Sequence, residues 1–299
     1  MPELPDLTVV AEAFHAALTG RPIRSASAPA PLAVRGTPAE LAALVDRQVR
    51  AVRQRGKFLL IELDSGQVVV NPMLTGRFQL AAPGVKLPTK TAVVLGFGPR
   101  SSGVAGGMAG RAPAGVARWT KGAAWLPADN EMVEVRYRDP TQMGKVYLAP
   151  EGVDRPIAGL DADLGPDADD PSLSLAVWQE RIRRHPGELK NLLKNQAFIA
   201  GIGNAYSDEI LHAAGLLPFR KRSTLAVEEV AALHAATDTT LETAIGVLRR
   251  RVPPTFETQV RDFLAVHNKG GQPCPRCGTR ISEVSPGGFV TSFCRGCQR

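Results

Sequence analysis

The second residue of the chain, Pro2, is a candidate nucleophile. Removal of an initiator Met in front of this small residue would leave its ring nitrogen as a free secondary amine. An α-amino group titrates at about 8, well below a lysine, so such an amine is reactive near neutral pH. Its attack on an aldehyde carbon gives a cationic iminium that eases later eliminations, and Glu3 could supply the acid–base function. The alternative is a proline without a chemical role, so this assignment needs support from elsewhere in the chain.

Four cysteines, the only ones in the sequence, follow the spacing C-x2-C-x16-C-x2-C. They are Cys274, Cys277, Cys294 and Cys297. Four thiolates can complete a tetrahedral shell around Zn²⁺ and leave no open position for catalysis. We therefore predict one structural zinc ion that stabilises a short hairpin. Two disulfides in a secreted domain are the alternative, which we disfavour because we find no signal peptide and no further cysteine.

The charge of the chain favours a polyanionic partner. The net charge of the 299 residues is +7, and most of the excess lies in the C-terminal half. Arg and Lys in such numbers suit nucleic-acid phosphates, although a solvated charged face is the alternative. No apolar run approaches the ~20 residues needed to cross a bilayer. We expect a soluble, cytoplasmic protein that needs neither a membrane nor a small-molecule cofactor, and a monomer.

The N-terminal half has the patterns of a helix followed by strands. Apolar residues at helical spacing predict a helix over 6–18, which Thr19-Gly20-Arg21-Pro22 would end. Strand-like segments follow, and two of them form a hairpin that turns at Asp64-Ser65-Gly66. The predicted strands cover 48–53, 58–63, 68–71, 78–80, 91–97, 132–137 and 146–148. We interpret 98–115, rich in Gly, Ala and Ser, as a flexible surface loop.

The remainder is predicted to be helical. We assign residues 1–150 to a β-sandwich domain and the acidic segment 151–171 to an unpacked linker. Residues 172–266 form a helical domain and 267–299 the zinc finger in this division. The predicted helices cover 173–185, 189–200, 205–214, 227–250 and 255–266. The fold class expected is therefore α+β and multidomain.

Two glycines in Gly201-Ile202-Gly203-Asn204 separate two predicted helices. We expect Asn204 to be the N-cap of the second helix. A helix start held by Gly turns presents free backbone N–H groups, which makes it a possible phosphate site. A plain helix–helix corner is the alternative, since Gly-x-Gly alone is weak evidence.

Three motifs occur here in one order: Met-Pro-Glu-Leu-Pro at the start, Gly-Ile-Gly-Asn-Ala-Tyr between helices, and a terminal four-cysteine finger. In this the chain resembles the formamidopyrimidine-DNA glycosylase / endonuclease VIII family of base-excision repair enzymes, nearly from end to end. The resemblance implies an N-terminal β-sandwich with an N-terminal helix, a helix–two-turn–helix domain and a zinc-finger hairpin. It also implies that 1–150 is the catalytic domain, that 172–266 is the DNA-binding domain, and that damaged DNA is the partner.

The resemblance assigns roles to individual residues. Pro2 would attack C1′ of the damaged nucleotide, and Glu3 would be the general acid–base partner. Lys57 matches the family's catalytic-site lysine on a strand. Lys190 and Asn204 match residues that hold the phosphates around the flipped nucleotide. The implied reaction is base removal followed by β- and δ-elimination, which leaves a one-nucleotide gap with phosphate at both ends.

The sequence departs from the family at the positions that select the lesion. Asn71 begins a stretch that replaces a His-containing one, and Leu74 aligns with the Met that fills the gap left by the flipped nucleotide. Gln142 replaces the arginine that pairs with the orphaned base, and Met143 replaces the wedging phenylalanine. Phe289 replaces an arginine of the finger.

These departures leave the proposed lyase residues in place. Asp6 keeps a carboxylate where the family usually has a second Glu. We expect activity on abasic sites and on ring-damaged or ring-opened bases, with weak excision of 8-oxoguanine. Two alternatives remain: a catalytically weakened DNA-damage-binding protein of the same fold, and a zinc-finger module for RNA or protein.

Overall fold

The computed structural model describes residues 1–100, 123–160, 164–285 and 288–299. The chain folds into two compact units. The first contains Met1–Pro2, Asp6–Ala158 and Leu248–Gln259, and the second contains Glu3–Pro5, Gly159–Val247 and Val260–Arg299. The boundary therefore falls between Pro2 and Glu3, so the first residues of the chain contribute to both units.

A β-sandwich forms the first unit. The helix α1, Leu4–Leu18, belongs to this unit from Asp6 onward. The other elements are β1 Ile23–Ser27, β2 Val34–Arg35, α2 Pro38–Ala42, β3 Val49–Arg55, β4 Phe58–Leu63, β5 Gln67–Asn71, β6 Arg77–Ala81, β7 Thr91–Phe97, β8 Val133–Arg138 and β9 Lys145–Ala149. Within the described residues, one sheet has the strand order β1-β7-β8-β6 and the other has the order β2-β9-β5-β4-β3. Among these strands, only β2 and β9 pair in parallel.

Apolar side chains of α1 and of both sheets form the core of this unit. All seven residues of β7 are buried, consistent with its continuous apolar sequence. The Phe14 ring of α1 packs edge-on against Phe78 and Phe256, with centroid distances of 5.9 and 5.2 Å. Such edge-to-face pairs stabilise a core beyond the area they bury. The predicted α+β fold with an N-terminal β-sandwich is confirmed.

The described part of the second unit contains three helices, most of a fourth and a two-stranded hairpin; the last turn of the fourth helix, from Leu248, belongs to the first unit. The hairpin strands pair antiparallel, Ser282 opposite Phe293. The helix that spans Asn204–Ala214 is followed by Gly215, whose φ of 73° is the left-handed conformation that suits a glycine after a helix. The elements are α3 Leu175–Arg184, α4 Leu189–Lys194, α5 Asn204–Ala214, α6 Val227–Arg251, β10 Ser282–Val284 and β11 Thr291–Phe293.

The helix predicted over 255–266 is wrong. Pro253 and Pro254 follow α6, and proline restricts the residue before it and cannot donate a backbone hydrogen bond. The backbone N–H groups of Ala265, Val266 and His267 donate to the Glu209 carboxylate instead of to a helical ladder. The helix predicted over 189–200 is also shorter, since α4 ends at Lys194.

Part of the segment that we assigned to an unpacked linker is packed. Ala168 is 1% exposed, and its N–H donates to the Ala200 carbonyl at 3.0 Å. Gly165 donates in the same way to Gln196. The domain boundaries stay a prediction. The loop predicted over 98–115 lies outside the described residues from position 101 onward.

Candidate active site and metal centre

The Glu3 carboxylate occupies the N-terminus of α5. It accepts hydrogen bonds from the backbone N–H groups of Gly203 at 2.6 Å, Ala205 at 2.9 Å and Tyr206 at 3.2 Å. The side chain is only 3% exposed. A carboxylate at a helix N-terminus satisfies backbone donors that lack partners and interacts favourably with the helix dipole. Glu3 is therefore fixed in position by the helix that follows the Gly-Ile-Gly-Asn motif.

The two glycines of that motif permit this close approach. A Cβ atom at Gly203 would lie 2.6 Å from Glu3 Cδ, and one at Gly201 would lie 2.6 Å from Leu4 Cβ. Gly201 also has a φ of 97° and accepts a hydrogen bond from the Leu4 N–H. The prediction that Asn204 is the N-cap is wrong. Gly203 occupies the cap position and Asn204 is the first helical residue, because Glu3 supplies the acceptor from a distant part of the sequence.

Lys190 and Asn204 converge on one acceptor. The Lys190 Nζ donates to the Val290 carbonyl at 2.9 Å, and the Asn204 Nδ2 donates to the same oxygen at 2.7 Å. Lys190 is 4% exposed and also donates to the Asp208 carboxylate at 2.6 Å. Burial lowers the pKa of Lys190, and the Asp208 charge partly opposes this effect. The structure thus brings together two residues that we predicted to contact phosphates.

Pro2 is buried in the first unit. It lines a cavity of about 30 Å³ together with Asp6, Arg77 and Gln259. Gln259 joins two parts of this wall, since its Oε1 accepts from Arg77 Nη2 at 2.9 Å and its Nε2 donates to the Met1 carbonyl at 3.2 Å. A carboxylate and a guanidinium therefore border the space beside the candidate nucleophile.

We predicted that Lys57 lies on a strand, and this is wrong. It lies in the two-residue turn between β3 and β4. The strand β3 ends at Arg55 and β4 begins at Phe58. Gly56 precedes Lys57 in the turn with a φ of 56°, a conformation that favours glycine. A hairpin tip leaves the half-buried Lys57 side chain at the edge of the sheet.

Two loops present the candidate DNA wedge residues. Leu74 and Met143 are 45% and 44% exposed, so both apolar side chains are accessible to a partner. The loops are anchored at their bases because Asn71 on β5 pairs with Lys145 on β9. Gln142, between the two strands β8 and β9, has a φ of 55°. The structure therefore brings the Leu74 loop and the Gln142–Met143 loop to the same end of the sandwich.

A buried carboxylate, Asp139, connects these two loops. Its Oδ1 accepts a hydrogen bond from the Thr75 hydroxyl at 2.5 Å, and its Oδ2 accepts from the Gly144 N–H at 2.6 Å. Thr141 also donates to it. Burial alone raises the pKa of Asp139, but the hydrogen bonds from Thr75, Gly144 and Thr141 outweigh it and hold the pKa below its usual value.

Phe289, which replaces a family arginine, is 60% exposed. The Lys194 Nζ lies over its ring, 5.3 Å from the centroid. This geometry is that of a cation–π interaction. The finger therefore presents an aromatic face with an adjacent ammonium where the family has a guanidinium.

The four cysteine sulfurs form one cluster, in which all lie within 4.8 Å of one another. The Sγ atoms of Cys274 and Cys297 are 3.8 Å apart and those of Cys277 and Cys294 are 3.4 Å apart. Zn–S bonds of about 2.3 Å in a tetrahedron place sulfurs ~3.8 Å apart. The donor set and its spacing fit one structural Zn²⁺.

Sequence reasoning missed the polar residues that hold these groups in place. Asp208 binds Lys190, the Ser292 N–H and His267 Nδ1, and Glu209 binds three backbone N–H groups. Both lie in α5 just after the Gly-Ile-Gly-Asn-Ala-Tyr motif, where two consecutive acidic residues in a predicted helix were the available signal. Asp139 lies three residues before Gln142, which the sequence analysis had singled out, but was not itself considered.

Three family models match consecutive parts of the chain. The formamidopyrimidine-DNA glycosylase N-terminal domain matches residues 1–146, and the formamidopyrimidine-DNA glycosylase H2TH domain matches residues 164–252. The zinc finger found in FPG and IleRS matches residues 271–299. A formamidopyrimidine-DNA glycosylase of Geobacillus kaustophilus is 30% identical over 310 residues, with 100% of each chain covered. The chain belongs to the formamidopyrimidine-DNA glycosylase family.

Other similarities agree with this membership. The formamidopyrimidine-DNA glycosylase of Exiguobacterium sibiricum is 29% identical over 308 residues, which cover 100% of this chain and 99% of the relative. A structure of Lactococcus lactis Fpg in complex with an abasic site containing DNA has a TM-score of 0.78 at 22% identity and 99% coverage of both chains. At this identity the structural likeness shows the fold.

Membership confirms several predictions in their general form. The protein is a DNA glycosylase of the base-excision repair type, a DNA-binding protein and a zinc-finger protein with one structural zinc site. Among the described residues, no helix is both long and apolar enough to span a membrane.

Proposed function

We propose that this formamidopyrimidine-DNA glycosylase family member is a bifunctional DNA glycosylase and AP lyase with Pro2 as its nucleophile. The observation that carries the proposal is the placement of Glu3, the next residue. Three backbone N–H groups of α5 hold its buried carboxylate. An acid–base group beside a nucleophile must be held in position to transfer protons efficiently.

The chemistry begins after removal of Met1, since the Pro2 nitrogen is an amide while Met1 is attached. The free nitrogen attacks C1′, the N–C1′ bond forms, and the damaged base leaves with a proton. Ring opening at O4′, to which Glu3 supplies the proton, gives the iminium. Loss of a C2′ proton expels the 3′ phosphate, and a second elimination expels the 5′ phosphate. Hydrolysis of the iminium then releases Pro2.

The other predicted residues bind the DNA in this proposal. Lys190 and Asn204, which share the Val290 carbonyl, contact phosphates around the flipped nucleotide. Lys57, at the hairpin tip, is the catalytic-site lysine and directs its ammonium group at a phosphate. Extrusion of the nucleotide is needed because C1′ is hard to reach inside a stacked duplex. Leu74 and Met143 fill the space that it leaves, and Gln142 and Asn71 lie beside them. The DNA is bound by a monomer.

The substrates that we propose are abasic sites and oxidised or ring-opened bases, with weak excision of 8-oxoguanine. Gln142 lacks the guanidinium with which the family pairs the orphaned base, so discrimination of the opposite base is relaxed. Phe289 with Lys194 provides an aromatic and cationic surface in place of the finger arginine.

Borohydride trapping on an oligonucleotide with an abasic site tests the nucleophile. Reduction converts the iminium into a stable covalent adduct, so the wild-type protein gives a trapped band and Pro2→Gly gives none. Mass spectrometry of the N-terminus must show that Met1 is absent. No band from protein with a confirmed Pro2 terminus contradicts the lyase and favours a DNA-damage-binding protein of the same fold.

Excision assays on matched duplexes test the lesion. We expect ring-opened purine and abasic sites to be processed faster than 8-oxoguanine, with little dependence on the opposite base. Strong preference for 8-oxoguanine opposite cytosine contradicts the assignment.

A further inference from the structure

We propose that His212 is a positioning residue of the zinc centre, and that its imidazole N–H donates a shared hydrogen bond to the thiolates of Cys274 and Cys297. His212 lies near the end of α5 and is 5% exposed. Its Nε2 is 3.2 Å from Cys274 Sγ and 3.6 Å from Cys297 Sγ. The ring nitrogen therefore faces the edge of the sulfur cluster that these two cysteines form.

The chemistry of the ligands fixes the direction of the hydrogen bond. A cysteine that binds zinc does so as a thiolate, which has no proton and can only accept. The nitrogen that faces two thiolates must therefore be the donor, so the proton is on Nε2. Four thiolates around one Zn²⁺ carry an excess of negative charge, and a donor at their edge stabilises it. Outer donors of this kind commonly orient metal ligands and tune affinity.

His212 is not itself a ligand in this proposal. The four sulfurs already form a complete set for a structural zinc site, which is four-coordinate. The sulfur atoms of Cys277 and Cys294 lie 3.4 Å apart within the same cluster, and Gly296 packs against that side. A Cβ at Gly296 would lie 3.0 Å from Cys277 Sγ, so the finger closes tightly around this pair. His212 lies against the other pair, Cys274 and Cys297.

The same contact ties α5 to the finger. One turn earlier in the helix, Asp208 accepts hydrogen bonds from the Ser292 N–H at 3.2 Å and pairs with His267 Nδ1 at 2.8 Å. His212 therefore adds a second attachment on the same face of α5, since residues four apart are neighbours on a helix. The helix whose N-terminus holds Glu3 thus contacts the zinc ligands near its C-terminus.

Cobalt-substituted full-length protein tests the hydrogen bond. We compare the wild type with His212→Gln, which keeps an N–H donor at similar reach, and with His212→Met, an unbranched side chain of the same length without a donor. A hydrogen bond lowers the energy of the sulfur lone pairs, so its loss shifts the sulfur-to-cobalt charge-transfer band to lower energy. We expect this shift in His212→Met and a band close to the wild-type position in His212→Gln.

Zinc affinity gives a second readout. Competition with a chromophoric chelator is expected to show about 10-fold weaker zinc binding in His212→Met and a smaller loss in His212→Gln. If His212→Met fails to fold, His212→Phe is used in its place, since it keeps an aromatic ring but has no donor. Equal loss in the Gln and Met variants, or no change in either, overturns the hydrogen bond. A shift of the cobalt d–d bands in the variants also overturns it, because that would make His212 a ligand.

Discussion

The Glu3 carboxylate accepts a hydrogen bond from the Gly203 N–H at 2.6 Å, although 200 positions separate the two residues in the sequence. The beginning of the chain is therefore held by the start of a helix in its second half. Two motifs that the sequence analysis treated as separate evidence, Met-Pro-Glu-Leu-Pro and Gly-Ile-Gly-Asn, are two sides of one contact. Each depends on the other, because a side chain at Gly203 would overlap Glu3.

Glu3→Gln should reduce both stability and trapping. An amide offers one acceptor oxygen where the carboxylate offers two, so at least one N–H at the start of α5 loses its partner. We expect a loss of about 1–3 kcal/mol in the free energy of unfolding, measured by urea denaturation, and a fall in borohydride trapping. Glu209→Gln is the matched control, since Glu209 also binds three backbone N–H groups. Glu209→Gln should lose a similar free energy of unfolding, but its folded fraction should still be trapped as efficiently as the wild type. Equal losses of trapping in both variants would show that Glu3 has no role in the chemistry.

Leu74→Ala and Met143→Ala should slow base excision without destabilising the protein. Both side chains are exposed, so the free energy of unfolding should change by no more than about 0.5 kcal/mol. Duplex excision should slow about 10-fold, equivalent to ~1.4 kcal/mol of lost stacking at the gap. Single-stranded abasic DNA has no such gap and should be trapped as before. The control is Leu87→Ala, at 42% exposure in another loop; an equal effect there would contradict a wedge function.

Asp139→Asn should change how the free energy of unfolding depends on pH in the acid range. Hydrogen bonds hold the pKa of Asp139 below its usual value despite burial. In the unfolded protein this carboxyl has a pKa of about 4. The ionised Asp139 therefore stabilises the fold fully above that pH, and this stabilisation is lost as the pH falls through the lower pKa of the folded state. We expect the variant to be about 1–3 kcal/mol less stable at neutral pH. The difference should shrink in acid, as measured by urea denaturation across pH.

The control for that pH series is Asp129→Asn, whose side chain is 76% exposed. Its profile should follow that of the wild type. A difference between Asp139→Asn and the wild type that stays constant through acid pH would show that the carboxylate charge contributes nothing.

Lys190→Met should weaken DNA binding and destabilise the fold. Its partner Asp208 is fully buried, and removal of one member of a buried ion pair costs about 3–5 kcal/mol. If the lysine also contacts a phosphate, the slope of log affinity against log salt should fall by about 1. Lys86→Met removes the same charge from an exposed position and should change neither quantity. A salt slope equal to that of the wild type would confine Lys190 to a structural role.

The sequence predicted best where local patterns decide the structure. The hairpin at Asp64-Ser65-Gly66 was expected and is formed by β4 and β5, because two short, mostly apolar runs joined by a glycine-containing turn suffice for it. The strand β1 was missed, since most of its side chains are exposed and its sequence, Ile-Arg-Ser-Ala-Ser, lacks an apolar pattern. The helix predicted over 255–266 failed because Glu209 binds the backbone there from another element.

For the candidate site too, the sequence predicted local features but not contacts between distant residues. Pro2, Glu3 and the cysteines could be proposed as site residues from residue type and spacing. The contacts that hold them could not, since Glu3, Asp208 and His212 find partners far away in sequence. A carboxylate that caps a helix from 200 positions away leaves no local signal.

The Val290 carbonyl would make phosphate binding at the proposed site an exchange of partners. Lys190 and Asn204 both direct a donor to this one oxygen. A phosphate bound there as we propose would replace a neutral acceptor with a charged one, so the free energy gained would be the difference between two sets of hydrogen bonds. The backbone oxygen is thus a built-in competitor of the phosphate.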